Sequence, residues 1–155
     1  HKSDAGGVRL GVDTLDAAER AWDDLQRIPN AAGCLVQAMV SGPEILIGAK
    51  REGAYGHLVA VGLGGIYTEV FQDVQFALAP VTTGEAAQMI RALQSYPLLE
   101  GVRGQPGVDL DLPAAWLQRI SRLVTAFPQI AELDLNPVKG SGQVLYAVDA
   151  RIIVG

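Results

Sequence analysis

In the stretch Glu132-Leu133-Asp134-Leu135-Asn136-Pro137, oxygen-bearing side chains alternate with leucines. Successive side chains of a strand point to opposite faces, so Glu132, Asp134 and Asn136 share one side while Leu133 and Leu135 turn to a core. Asp149 follows in Tyr146-Ala147-Val148-Asp149-Ala150-Arg151. A final strand pairing antiparallel after a short turn would bring it beside the other three. Such a set of hard oxygens suits Mg2+, with phosphate oxygens completing its shell. The same pattern also describes a solvated face on an edge strand, and the residues alone leave both readings open.

Two glycine-containing stretches form further constellations. In His1-Lys2-Ser3-Asp4-Ala5-Gly6-Gly7-Val8, small residues let backbone N–H groups approach an anion and the lysine adds charge. A glycine pair before a strand is more often just a turn, and a terminal His-Lys pair also occurs in tag remnants. Gly62-Leu63-Gly64-Gly65, with Glu69 and Asp73 downstream, demands either unusual backbone angles or the close approach of another group. A flexible turn is its alternative. The run has neither the spacing of a dinucleotide fingerprint nor a following Lys-Ser/Thr, so Rossmann and Walker binding are not supported.

The elements that must position these residues follow from periodicity and punctuation. Residues 6–12 alternate as a half-buried strand does. Asp13 or Thr14 then caps a helix over 16–28, with Trp22 as a core anchor and Pro29-Asn30 as its stop. Residues 34–40 and 44–50, joined by Ser41-Gly42-Pro43, read as a hairpin, and 57–62 and 75–79 as further strands. A helix opens at Thr83 and runs through Tyr96 to a stop at Pro97, and a longer one spans 113–127. Two strands close the chain, 130–135 and 143–153, separated by Asn136-Pro137 and the turn Lys139-Gly140-Ser141-Gly142. The expected class is α+β, a mixed or antiparallel sheet with about three helices, and 155 residues fit one domain.

Composition narrows the partners. A formal net charge of −5 offers no basic field for nucleic acid, although backbone donors and a bound cation can still hold a nucleotide. Cys34 is the sole cysteine, which excludes a disulfide framework within the chain. Its apolar neighbours read it as a small buried residue in a strand. No apolar stretch approaches a membrane span, and a cytoplasmic setting is the default expectation.

In order, these stretches resemble the ATP-grasp subunit or domain of ADP-forming acetyl-CoA and acyl-CoA synthetases, related to the succinyl-CoA synthetase β subunit. The resemblance rests on His1-Lys2-Ser3-Asp4-Ala5-Gly6-Gly7-Val8 and on Leu35-Val36-Gln37-Ala38-Met39 followed by residues 44–48. It continues in Gly62-Leu63-Gly64-Gly65-Ile66-Tyr67-Thr68-Glu69-Val70 and in Tyr96-Pro97-Leu98-Leu99-Glu100-Gly101 with Arg103-Gly104. It ends in Glu132-Leu133-Asp134-Leu135-Asn136-Pro137 with Asp149-Ala150-Arg151.

It implies the C-terminal portion of an ATP-grasp domain, beginning inside the phosphate-binding loop at the start of 1–155. The parent would be an acid–CoA ligase in which acyl-CoA, ADP and phosphate give acid, CoA and ATP through an acyl phosphate and a phosphohistidine. The resemblance gives His1 the transient phosphoryl group. Lys2, Gly6 and Gly7 belong to the loop over the phosphates, and Val36, Gln37 and Met39 to a strand lining the adenine pocket, with Glu44 near the nucleotide. Asn136 and Asp149 would bind Mg2+, and Asp134 would support the metal or face the phosphohistidine. ATP/ADP and Mg2+ are the implied ligands, and CoA-binding and ligase domains of the same chain or a partner subunit the implied partners. The chain alone is expected to turn over little or no ATP, and a homodimer covering a truncated contact surface is compatible with it. The other reading is a ligand-sensing ATP-grasp-like module fused to a protein acetyltransferase.

Overall fold

A computed structural model of the chain describes residues 6–64, 73–102, 104 and 106–155. His1, Lys2, Gly65, Glu69 and Arg103 lie outside them. The chain divides into two compact units, 1–39 and 40–155. Among the described residues, no helix is long and apolar enough to cross a membrane.

The first unit contains helix α1, Leu15–Gln26. Of the two cap candidates, Thr14 does the capping, its hydroxyl accepting from the Ala17 amide at 3.2 Å. The expected strand over 6–12 is absent: Gly6 and Gly11 take φ of +66° and +67°, in the left-handed region that a strand excludes. Arg9 ties this stretch together, its Nη1 donating to the Gly6 carbonyl at 2.7 Å and its Nη2 lying 3.7 Å from Asp24 on α1. Trp22 is half exposed and no residue of α1 is buried, so the core-anchor expectation fails. Residues 34–40 also form no strand, and Cys34 is half-buried.

The second unit is a six-stranded antiparallel sheet. Its strands are β1 (Glu44–Arg51), β2 (His57–Leu63), β3 (Val74–Leu78), β4 (Ile130–Ser141), β5 (Val144–Ala147) and β6 (Ala150–Val154). The order is β3-β2-β1-β4-β5, and β6 also pairs with β4. Both edges of β1 are taken by β2 and β4. No backbone groups of β1 remain for residues 34–40, which is why the expected hairpin does not form.

Among the described residues this unit also carries helices α2 (Thr83–Arg91), α3 (Tyr96–Glu100) and α4 (Asp111–Ala126). Ile45, Ile47 and Ala49 of β1, Val59 and Val61 of β2 and Leu133 of β4 form the core with Ile90 of α2 and Leu117, Ile120 and Val124 of α4. The α4 positions fall at the three-and-four spacing of one helical face. Pro97 does not end a helix but sits in the first turn of α3, where a missing N–H costs nothing. His57, buried at the start of β2, places Nε2 2.6 Å from the Ile130 carbonyl at the start of β4.

Candidate functional site

The register fixes what the second face of the sheet presents. Because Ile45, Ile47 and Ala49 enter the core, Glu44, Gly48 and Lys50 of β1 face away from the helices. Pairing carries Glu132, Asp134 and Lys139 of β4 to the same side, opposite Lys50, Gly48 and Glu44 respectively. Arg151 of β6 joins them as the register partner of Asp134. On β2 and β3 this face is apolar, with Leu58 opposite Leu78 and Ala60 opposite the exposed Phe76. A shallow depression of about 370 Å3 runs between the two halves, lined by Gly48, Lys50, Ala60, Phe76, Glu132 and Asp134 among others. A Cβ on Gly48 would stand 3.3 Å from the Leu133 carbonyl and 3.8 Å from Asp134 Oδ1, so glycine keeps the space beside that carboxylate open.

Asn136-Pro137 does not terminate a strand, as the sequence reading expected, but lies inside the twelve-residue β4. Leu135 pairs with Ile47 and Val138 with Ile45, so Asn136 and Pro137 together oppose Leu46 alone. That two-against-one count is a β-bulge, and it removes the ladder bond that proline could not donate. On the other side of β4, pairing with β6 ends at Leu135↔Ala150 and pairing with β5 begins at Val138↔Ala147. The expected single strand over 143–153 is therefore two. Val148 and Asp149, the break between them, stand across from Pro137 and Asn136, and the Val148 amide donates to the Pro137 carbonyl at 2.9 Å. Asn136 and Asp149 are both exposed.

Charge is concentrated here. Burial pushes the Asp134 carboxyl above its ordinary range, the negative charges of Glu132 and Asp149 push it further, and Arg151 opposes them. Arg151 Nη1 is 3.8 Å from Glu132 Oε1. Among the described residues no three His, Cys, Asp or Glu side chains converge as a metal site of their own. The donor set fits a hard cation that takes a few protein oxygens and completes its shell from elsewhere, and the repulsion on Asp134 marks negative charge that a cation would relieve.

The remaining candidates are more dispersed. Glu44 is held by Lys139, with Nζ to Oε1 at 3.0 Å and both side chains partly buried. Gly6 and Gly7 lie in the first unit, as do Val36, Gln37 and Met39, whose segment has no regular secondary structure. His1 and Lys2 fall outside the described residues. Of the glycine-rich run, Gly64 is anchored through its amide to the Glu44 carbonyl at 2.7 Å. Asp73 is structural, accepting from the Gln94 and Ser95 amides at 2.9 and 2.7 Å. Sequence reasoning gave no role to Lys139, Lys50 or Arg151, although Arg151 stood in a motif. Their partners are set by strand register across long separations, which local pattern does not encode.

The fold agrees with the comparisons. The ATP-grasp domain family matches residues 1–154. The chain is 41% identical over 162 residues to the ADP-forming acetate–CoA ligase I of Archaeoglobus fulgidus, covering 100% of this chain and 24% of that protein. It is 35% identical over 162 residues to the β subunit of the ADP-forming acetate–CoA ligase I of Pyrococcus furiosus, covering 99% of this chain and 70% of that one. Among solved structures, a dinucleotide-forming acetyl-coenzyme A synthetase 1 of Ca. Korarchaeum cryptofilum superposes with a TM-score of 0.82 at 35% identity. The match covers 100% of this chain and 71% of that one. That structure is a complex with coenzyme A and Mg-AMPPCP, its phosphohistidine segment pointing towards the nucleotide binding site. The chain belongs to the ATP-grasp family, among the β-subunit-type domains of ADP-forming acetate–CoA ligases. It spans only 24% of the length of the Archaeoglobus relative. The acetyltransferase-linked sensor reading finds no support in these relatives.

Proposed function

We propose that this chain supplies the metal- and phosphate-facing part of the nucleotide site in an ADP-forming acyl-CoA synthetase, where a phosphoryl group passes between a phosphohistidine and ADP. The observation that carries the reading is the meeting of the β4 bulge with the β5–β6 break, which sets Asn136 across from Asp149 beside the repelled carboxylate of Asp134. Asn136 and Asp149 would hold Mg2+, which would supply neutralisation of phosphate charge. Asp134 stands beside them to support the metal or to face the phosphohistidine. His1 takes the phosphoryl group transiently, and Lys2 with the Gly6-Gly7 turn covers the phosphates. Val36, Gln37 and Met39 contact adenine from an irregular segment, and Glu44, fixed by Lys139, lies near the nucleotide. This division suits phosphoryl transfer, which depends on positioning and charge stabilisation more than on covalent chemistry by the protein. CoA and the acyl group are handled by ligase domains on the same chain or on a partner subunit.

The test is calorimetric titration of the full-length protein containing this chain with Mg·ADP and Mg·ATP, repeated with Asp149→Ala and Asn136→Ala. Loss of binding in both variants, with thermal unfolding unchanged in the absence of nucleotide, is the expected result. Wild-type affinity in both variants would remove the site from this strand junction.

A further inference from the structure

Arg151 shares a sheet face with Glu132 and Asp134, and its ion-pair partner is a carboxylate. It is the register partner of Asp134, on the face turned away from the helices, and its side chain is 69% exposed. Its contact with Glu132 is 3.8 Å, longer than the roughly 2.7–2.9 Å of a tight charge-assisted hydrogen bond. Exposed pairs of this kind contribute little, so Arg151 can leave Glu132 at low cost. Glu132 would not be stranded, because Lys50 stands directly across from it on β1. Lys50 is itself only loosely engaged, 3.6 Å from Glu52. Glu132 and Asp134 are the carboxylates beside this guanidinium, and an arriving polyphosphate competes with Glu132 for it. A guanidinium matches phosphate oxygens with a two-pronged fork, which gives the phosphate the advantage over a single-contact carboxylate.

Resting on the reading of the site as a nucleotide site, we propose that Arg151 is a phosphate-contacting residue that exchanges its Glu132 contact for the nucleotide phosphates on binding. Glu132 is then a competitor for Arg151, and Lys50 takes over Glu132 once Arg151 has left.

This exchange predicts effects of opposite sign for two neighbours. In Mg·ADP titrations of the full-length protein, Glu132→Gln should tighten binding by about two- to fivefold, the range of an exposed pair. Arg151→Gln should weaken it about tenfold or more, as loss of a charge-assisted phosphate contact does. Arg151→Lys should fall between, keeping the charge but not the fork. The double variant should bind like Arg151→Gln alone, because Glu132 acts only through Arg151. The salt dependence of binding should be shallower in Arg151→Gln than in wild type. A purely structural pair predicts instead that both single changes weaken binding or leave it alone. Either that pattern or an Arg151→Gln affinity within about twofold of wild type would overturn the proposal. Asp149→Ala separates the two levels: if it abolishes binding while Arg151→Gln does nothing, only the role of Arg151 fails. If Asp149→Ala is also silent, the nucleotide reading of this junction fails with it.

Discussion

Replacing Asp73 by alanine should loosen the junction between β3 and α3. Asp73 directly precedes β3, is 6% exposed, and accepts hydrogen bonds from the Gln94 and Ser95 amides at 2.9 and 2.7 Å. Helix α3 has only five residues, and its N-cap Ser95 makes no side-chain capping bond. A carboxylate from a distant part of the chain therefore pins the turn that leads into α3. Hydrogen bonds to charged groups contribute about 1.5–3 kcal/mol each, and some of that is offset by the cost of burying the carboxylate, so Asp73→Ala should lose about 3 kcal/mol. Asp73→Asn should lose about half of this, since its amide keeps one acceptor oxygen and turns an N–H donor towards a donor. Burial pushes the Asp73 carboxyl up, but hydrogen bonds with Ser95 and with the Gln94 amide outweigh it and hold the group below the ordinary aspartate range. A lowered folded value means that its stabilisation is complete above the unfolded value and disappears as pH falls through the folded one. Thermal and urea unfolding of the full-length protein at neutral pH should show a Tm decrease of about 6–12 °C for Asp73→Ala, at about 2–4 °C per kcal/mol. The gap between wild type and Asp73→Asn should close in acid. A decrease below about 2 °C, an asparagine variant as damaged as the alanine one, or a gap that widens in acid would mean that the Asp73 carboxylate does not hold this junction.

Two further outcomes follow from buried or crowded groups. Ser121 is fully buried in α4, accepts from the Val81 amide at 3.2 Å and donates to the Gln118 carbonyl at 2.7 Å. Ser121→Ala leaves the Val81 amide without this acceptor and should cost about 1–3 kcal/mol in urea unfolding, with nucleotide affinity unchanged. Asp134→Asn removes the repulsion from Glu132 and Asp149, so it should raise the melting temperature without divalent cation while shrinking the further rise that added Mg2+ produces, as read by thermal shift.

The parts of the fold legible in the sequence are those with strong local periodicity or clear caps. Thr14, the α4 stripe and the strands at 44–50, 57–62 and 75–79 emerged within one or two residues of the observed elements. Residues 34–40 show the limit of pattern: their composition is that of a strand, but a strand exists only where a partner edge is free, and both edges of β1 are occupied. Pro97 shows another, since the residue that stops one helix is equally suited to the first turn of the next. At the site, alternation correctly grouped Glu132 with Asp134 on one face. The ion pair of Glu44 with Lys139, 95 residues apart, follows only from the pairing of β1 with β4.

The same pairing explains why an irregularity in the sheet, rather than a regular ladder, carries the candidate ligands. In an unbroken antiparallel pair, side chains alternate strictly between faces and opposed residues are held at one spacing by their own backbone bonds. Asn136 and Asp149 escape that constraint together: Pro137 has no N–H to give, the bulge on the β1 side asks for none, and the β5–β6 break leaves Asp149 outside both strands. The Pro137 carbonyl still receives the Val148 amide, and the Asp149 carboxylate accepts from the Ala150 amide at 3.0 Å, so the two segments stay in register through the break. Asp134 and Arg151, one step back along the same two segments, remain in the regular ladder and are fixed opposite each other. As the proposed ligands, Asn136 and Asp149 would sit at this irregular junction beside a carboxylate that the regular ladder places, an arrangement that suits a cation whose shell is completed by phosphate oxygens.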